Sequence, residues 1–449
     1  MAHEDFVLTD RVRPPAPLDD NSGYPPRSYA WCVVAILIAT AIVSYTDRQV
    51  LSLLVDPVRR DLGISDTQIS LLLGTAFAVI YGIAGIPFGM LADRSSRRNL
   101  IFFGVVVWSL GTVACGYSHS FGQLFAARIV VGLGESVLSP AAISLISDYF
   151  PPSRRGMAVG CFLSGIAIGI GASILIGGGV LHLVEAGAMV GTPLAGVAPW
   201  RLVLLLIGAP GLAWSLMIFL IREPVRRSTA GVVSRAAHPT HQTTLYVVAP
   251  IYFVVAMASL VDNAVGAWAP TLLIRNFGRD PAQVGLQLGL LLTLAFGGGV
   301  LLGGWLSDLV GGSGRWMGKL GVCLVSSLAI LPVSWAIYSS ELAVVMAAVP
   351  LYFALSGIVT ACGFSSILDA IPNSQRGFAM AVSFFLNVAV GAGLGPTSVA
   401  LASAHVFGAA AGLAPAIAFI AGLGYLLAAA ALLLALTVFK SRPHREWVH

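Results

Sequence analysis

The sequence predicts an all-α membrane protein of about twelve spanning helices, arranged as two six-helix halves with both termini in the cytoplasm. Three observations lead there. Of 449 residues, 57% are hydrophobic and only 10% are charged, against about 25% charged in a soluble domain. Apolar runs long enough to cross a bilayer, roughly 20 residues each, follow one another along the whole chain. A short motif then recurs on either side of a cationic central stretch. Water would not keep so apolar a chain dispersed, but lipid tolerates an apolar exterior. The 50 glycines fit the same solvent, because small residues let membrane helices approach closely.

Residues 1–30 hold no apolar core. Arg13, Pro14, Pro15, Pro17, Asp19, Asp20, Pro25 and Pro26 predict a disordered cytoplasmic tail with no cleavable signal peptide. Apolar runs follow near 31–55, 67–91, 99–118, 121–149, 155–184 and 200–221. After the polar stretch 222–244, read as a cytoplasmic linker, come 245–275, 283–310, 317–338, 341–371, 377–405 and 411–439. The six-helix bundles are thus 31–221 and 245–439, and 440–449 is a second cytoplasmic tail. The runs at 155–184 and 377–405 are Gly-rich enough to resist helix formation in water. In lipid the backbone must satisfy itself, so helix is forced.

Lys and Arg set the orientation. With the amino terminus inside, the inner segments carry Arg11, Arg13, Arg27, Arg94, Arg97, Arg98, Arg154, Arg155, Arg222, Arg226, Arg227, Arg235, Arg315, Lys319, Arg376, Lys440, Arg442 and Arg445. The outer segments carry Arg59, Arg60, Arg201, Arg275 and Arg279, and the excess marks the cytoplasmic side. Asp148 to Gly156 matches Asp369 to Gly377 as D-x-x-P-x-S-x-R-G, an offset of 369 − 148 = 221. Asp93 and Asp308 stand 308 − 93 = 215 apart. Similar offsets across a linker imply duplicated halves, common among transporters.

Other classes find little support. H-E-x-x-H, G-x-S-x-G and G-x-x-x-x-G-K-[ST] are absent, which argues against an enzyme and against ATP-driven transport. Cys32, Cys115, Cys161, Cys323 and Cys362 sit in apolar runs without metal-ligand spacing and read as packing residues. No basic run interleaves with aromatics, so the +5 net charge is a loop effect and not a nucleic-acid surface. No cofactor is implied, and a monomer is expected.

Gly89-Met90-Leu91-Ala92-Asp93-Arg94-Ser95-Ser96-Arg97-Arg98 resembles the loop between the second and third helices of the major facilitator superfamily, with Ser96 where that motif has glycine. The stretch Gly304 to Asp308 and on to Arg315 is a degenerate second copy. Leu124 to Gly134, with Arg128, Gly132 and Gly134, resembles the superfamily's fourth-helix motif. Tyr45-Thr46-Asp47-Arg48, Arg128 to Glu135, Ser65 to Gln68 and Trp200-Arg201 narrow the resemblance to the Spinster-like branch of sphingolipid and lysolipid transporters and their bacterial relatives. The fifth run lacks the Gly-Pro pair of the drug-antiporter motif, which lowers that reading. The resemblance implies alternating access in a bacterial inner membrane, with the first, fourth, seventh and tenth helices lining a central cavity.

A charge deep in a bilayer is costly and usually faces a cavity and a partner. The candidates are Asp47 and Arg48 in the first run, Arg128 and Glu135 in the fourth, and Asp262 in the seventh. Asp47 and Arg128 lie roughly 11 and 10 Å from the outer ends of their runs, so they share a level and can pair, and Arg48, turned by about 100° from Asp47, can reach toward either level. Glu135 is 135 − 128 = 7 residues deeper, two turns along the same face. Two arginines suit a phosphate or carboxylate. A carboxylate released by its arginine, Glu135 or Asp47, would take a proton. A structural role, pinning the first run to the fourth, is the plainer alternative. Asp262 with Asn263 divides evenly between a cavity role and a partnership inside the second half, and Asn387 reads as an interhelical hydrogen bond. Tyr45, Trp268, Tyr352, Phe353, Phe364, Phe384 and Phe385 are candidates for an amphipathic pocket, although aromatics in apolar helices more often pack.

Asp93, Arg97, Asp148 and Arg155 belong to the inner loops. The resemblance implies a cytoplasmic latch there that holds the outward-facing state and breaks on inward opening. The function expected is proton-coupled movement of an amphipathic anionic lipid, such as a lysolipid or sphingoid phosphate. The alternative is an organic-anion or sugar-acid symporter with protons, for which Arg48 and Arg128 would serve equally. Sparse polar residues in the cavity runs favour the amphipathic substrate.

Overall fold

The computed structural model describes residues 24–189, 191–226, 241–310, 316–371, 376–408 and 412–440. Twelve helices in it are long and apolar enough to cross a membrane. They are α1 (Arg27–Ser52), α2 (Asp66–Ser70, continued by Ala76–Arg94), α3 (Arg97–Gly116), α4 (Phe121–Tyr149), α5 (Pro152–Glu185) and α6 (Pro199–Leu220). After the linker come α7 (His241–Phe277), α8 (Pro281–Val310), α9 (Trp316–Ala336), α10 (Leu342–Ala370), α11 (Arg376–His405) and α12 (Leu413–Lys440). Helices α1–α6 and α7–α12 form two halves. The residues that begin α1 and α7 and end α6 and α12 share one end of the bundle, the termini face; the opposite end is the distal face.

The expected runs recur as helices, with one difference. The first ends at Ser52, and Val55–Leu62 forms a separate short helix at the distal face. Its sequence, VDPVRRDL, is too polar to extend a span, and Gly63 closes it in the left-handed region at φ 64°, where glycine carries no steric penalty. Ser65 and Gln68 then cap the start of α2 reciprocally, the Ser65 hydroxyl accepting from the Gln68 N–H and Gln68 accepting from the Ser65 N–H. This capping box satisfies backbone donors that lipid would not.

The repeat is visible as chemistry. Arg97, at the start of α3, donates to Asp148 near the end of α4. Lys319, near the start of α9, donates to Asp369 at the end of α10, 2.5 Å away. The offsets, 319 − 97 = 222 and 369 − 148 = 221, match that of the sequence motif. Each half therefore carries a cation–carboxylate tie between equivalent helices at the termini face.

The halves meet along α5–α8 and α2–α11. Glycine makes the first seam: a Cβ on Gly285 would lie 2.4 Å from the Gly178 Cα, one on Gly289 2.3 Å from the Leu175 N, and one on Gly171 2.2 Å from the Thr293 N. These contacts occupy the distal parts of both helices. At the second seam the Thr75 hydroxyl donates to the Gly393 carbonyl at 3.0 Å, and Ser70 reaches Thr397 at 3.5 Å. The Thr271 hydroxyl reaches the Ser52 carbonyl at 3.5 Å. The hydrogen bonds seen between the halves thus lie on the distal side, and that side is closed.

Replacing Gly285 by Leu should force α5 and α8 apart and destabilise the distal-closed state by about 1–3 kcal/mol. Spin-label distances across the distal face should lengthen; unchanged distances would show that the seam yields locally instead.

Candidate functional site

Three departures from regular helix build the centre of the first half. Helix α1 tightens into a 3-10 turn at Val50–Ser52, leaving carbonyls of its last α-turn without intrahelical donors. A π-bulge at Leu71–Thr75 interrupts α2, and such bulges leave a carbonyl available. Helix α4 breaks between Glu135 and Leu138, where Pro140 lacks an N–H and crowds the carbonyl four residues back.

Arg128 takes up the freed carbonyls. Its Nε donates to Leu72 O at 3.1 Å, and its terminal nitrogens donate to Asp47 O and Arg48 O, each at 3.2 Å. At 2% exposure, it fastens α4 to α1 and α2 through backbone alone. The side-chain pair of Asp47 with Arg128 that their shared depth allows is not formed among the described residues. The Asp47 carboxylate is buried, and neither oxygen has a hydrogen-bond partner among the described residues. It shares a small recess with Arg128, Thr112, Cys115, Leu51, Leu124 and Leu204, so its countercharge is near but not bonded.

Arg48 and Glu135 make the pair instead. Arg48 Nε and one terminal nitrogen both donate to Glu135 Oε2, at 3.2 and 2.6 Å. The Glu135 Oε1 is buried with no hydrogen-bond partner among the described residues. The guanidinium lies over Phe77, Tyr45 and Tyr81, with centroids 3.9, 4.6 and 5.6 Å away, an arrangement that stabilises a desolvated cation. One step along α1 turns a side chain by about 100°. Asp47 therefore faces α3 and α6 while Arg48 faces α2 and α4. The Arg48 side chain retains 13% exposure and Glu135 none, so the arginine is the member within reach of an incoming anion. Phe77 and Tyr81 were not singled out in the sequence. Their spacing, 81 − 77 = 4, was the available signal, since it puts both on one face of a helix.

In the second half, Asp262 on α7 accepts the Tyr352 hydroxyl at 2.7 Å and the Ser356 hydroxyl at 2.5 Å, both on Oδ1. Tyr425 of α12 donates to Ser356 at 2.7 Å. Trp268, Tyr352 and Phe353 are fully buried core residues. Phe364 and Phe384 face one another at 6.1 Å, and Phe385 is exposed. Asn387 enters a π-bulge at Asn387–Ala392, and it is its carbonyl that accepts an interhelical bond, from Ser259 at 3.2 Å.

At the termini face, Arg97 joins Asp148 and also Glu223, whose Oε1 is 2.8 Å from its Nε. Glu223 further accepts from the Ser96 hydroxyl and the Arg98 N–H, both at 2.9 Å. It was missed in the sequence, although it is the lone acid of 222–244. Arg155 has its Nε buried with no partner among the described residues, and the Asp93 side chain lies outside the described residues. At the distal face, Arg275 of α7 clasps the Asp66 carboxylate with two nitrogens, at 2.7 and 2.8 Å, and donates its Nε to Asp56 at 2.8 Å. This tie crosses between the halves. The sequence displayed all three residues but not their meeting, because 209 and 219 positions separate the partners. Trp200 and Arg201 both donate to Asp61, at 3.0 and 2.9 Å, anchoring the short helix.

The model of the Major Facilitator Superfamily matches residues 37–396. The chain belongs to that superfamily. This transporter is a multi-pass integral membrane protein. It is similar to an MFS-type efflux pump of Mycolicibacterium smegmatis, 27% identical over 83% of this chain and 84% of the relative. It is also similar to the Drosophila melanogaster protein spinster, 28% identical over 62% of this chain and 46% of the relative. The hexuronate transporter of Bacillus subtilis is 25% identical over 75% and 80%. In fold it matches a bacterial homologue of the human lysosomal transporter Spinster in an inward-facing, unoccupied conformation. That likeness has a TM-score of 0.80 and 23% identity, and covers 93% of this chain and 98% of the other.

Two outcomes follow from this geometry. Arg48→Ala strands Glu135 as a buried, unpaired charge and should cost the transporter about 3–5 kcal/mol. The double change with Glu135→Ala should recover most of that loss in a thermal unfolding series. Additive losses would show that the two residues are not coupled. Burial alone would raise the Glu223 pKa, but the Arg98 N–H, the Arg97 guanidinium and the Ser96 hydroxyl together hold it below the usual glutamate range. Its contribution is therefore present above the ordinary glutamate pKa and lost as pH falls through the depressed one. Glu223→Gln should lower the unfolding temperature at neutral pH, with the gap from wild type closing in acid.

Proposed function

We propose that this transporter moves an amphipathic anion, a lysolipid or sphingoid phosphate, in exchange with or alongside protons, by alternating access. Its termini would lie in the cytoplasm, as the Lys and Arg distribution indicates, and its spans in a bacterial inner membrane, as for the bacterial Spinster homologue it resembles. One observation carries the reading. Arg48 bonds a single oxygen of Glu135 while the other carboxylate oxygen is buried and empty. An anionic head group that draws Arg48 away leaves a buried carboxylate without its cation, and such a group takes up a proton. Release of the head group reverses both steps, so anion and proton occupancy are linked through one guanidinium. Arg128, occupied by three carbonyls, holds the frame in which Arg48 moves.

The aromatic rings around Arg48 support an amphipathic ligand, because they place apolar surface beside the cation. With the distal side closed, the site would open toward the cytoplasm. Arg97, Asp148, Arg155 and Asp93 would act at the mouth. Arg97 holds Asp148 inside the first half while the distal side is closed, so this pair is not the contact expected to break on inward opening. The hexuronate relative favours a second reading, uptake of a sugar acid, for which Arg48 would serve as the same anion ligand.

Reconstituted liposomes separate the two. With an imposed proton gradient, fluorescent lysolipid movement should be stimulated, and Glu135→Gln and Asp47→Asn should lose that stimulation. Labelled sugar-acid movement without a lysolipid signal would keep the arginine site and discard the lipid substrate.

A further inference from the structure

The exchange at Arg48 draws on the first half alone and leaves the interior acid of the second half, Asp262, without a role. Asp262 stands 262 − 248 = 14 residues from one end of its span and 277 − 262 = 15 from the other. Glu135 stands 135 − 121 = 14 and 149 − 135 = 14 residues from the ends of α4. Both carboxylates therefore sit about 21 Å deep, one in each half, at the middle of the membrane.

Their surroundings differ in one respect. Among the described residues no cationic side chain lies within ion-pair distance of Asp262. The acids and bases of α8, α10, α11 and α12 stand at helix ends: Asp308, Asp369, Arg376 and His405, and Lys440; α1, which meets α7 at Val50–Ser52, carries Asp47 and Arg48, both turned into the first half, and the thiol of Cys362 lies inside α10. At its own level Asp262 meets hydroxyls, those of Tyr352 and Ser356 directly and that of Tyr425 through Ser356. Nearby Asn263 is turned to the Ser259 carbonyl at 2.9 Å. With every group ionised, Arg48 answers Glu135 and Arg128 faces Asp47, while Asp262 has no counterpart. The interior is then one negative charge in excess, and an arriving anion would add another in a medium that penalises both.

We propose that Asp262 is a second proton-binding carboxylate of the transport cycle, supplied by the carboxy-terminal half and loaded on Oδ2. The geometry suits this. Oδ1 alone accepts the Tyr352 and Ser356 hydroxyls, whereas Oδ2 has no hydrogen-bond partner among the described residues, and Asp262 is half-buried. A proton from the cavity can join Oδ2, converting carboxylate to carboxylic acid, while Oδ1 keeps both acceptor bonds. Tyr352, Ser356 and Tyr425 need not rearrange, so α7, α10 and α12 stay packed in both protonation states. Glu135, by contrast, becomes free to protonate only when Arg48 departs. The two halves thus hold one proton site gated by substrate and one that no cation gates.

This inference rests on the proton-coupled reading above, and its test needs no substrate. Infrared spectra of the full-length protein in lipid, titrated with pH, should show a protonated-carboxyl band that survives Glu135→Gln and vanishes in Asp262→Asn. Tyr352→Phe, which keeps the packing, should move the midpoint of that band by about tenfold in proton concentration. Retention of every titrating band in Asp262→Asn, or an unmoved midpoint in Tyr352→Phe, would overturn the assignment. In liposomes, the number of protons moved per fluorescent lysolipid should fall by one in Asp262→Asn; an unchanged number would also overturn it. If lysolipid is not carried at all, the lipid substrate fails, and the infrared band still decides Asp262.

Discussion

Lipid offers no hydrogen bonds, and the arrangement of this protein follows from that one fact. Each backbone carbonyl released from a helix must find a donor inside the protein. The 3-10 end of α1 and the π-bulge of α2 release carbonyls side by side, and Arg128 collects three of them. A residue that its charge suggested as a substrate ligand is thereby committed to the frame. Its neighbour across α1, Arg48, is left with a carboxylate and a ring of aromatics, the combination that can exchange partners.

The same constraint explains where the halves are alike and where they diverge. Both tie the third helix of the half to the fourth with a cation and a carboxylate at the termini face. In the first half the cation is Arg97, whose forked donors reach Asp148, Ser144 and Glu223 together. In the second it is Lys319, a point charge shared between Ser365 at 2.8 Å and Asp369. An arginine fixes several partners at set angles, while an ammonium does not. The first half therefore carries the more rigid termini-face unit. The distal tie is asymmetric too, since Arg275 of the second half closes on Asp56 and Asp66 of the first. Closure at one face depends on charges between halves, and stiffness at the other on charges within them.

Much of the fold was legible because membrane helices write themselves into composition: length of apolar run, Gly and Pro punctuation, and Lys and Arg at the ends. Spans as Gly-rich as α5 and α11 were legible for the same reason, since lipid removes the alternative to helix. The short helix Val55–Leu62 was not, because it lies outside the apolar pattern and its amphipathic character extends over too few residues. Depth along a helix placed Asp47, Arg48, Arg128 and Glu135 near one another, but it could not choose which of them pair. Axial rise is fixed by residue count, whereas the direction of a side chain depends on how each helix is rotated against its neighbours. The π-bulge of α2 and the break in α4 shift that rotation locally.

By itself, then, the sequence determined a twelve-helix duplicated membrane protein with a few costly charges midway through it. Those follow from hydrophobic run length and the price of burying charge, which are properties of single segments. The tertiary structure alone decided that Arg128 serves the backbone, that Arg48 holds Glu135 by one oxygen, that hydroxyls and, among the described residues, no cation surround Asp262, and that the distal face is the closed one. Each of these depends on contacts between residues far apart in the chain, and on backbone irregularities that no periodicity announces.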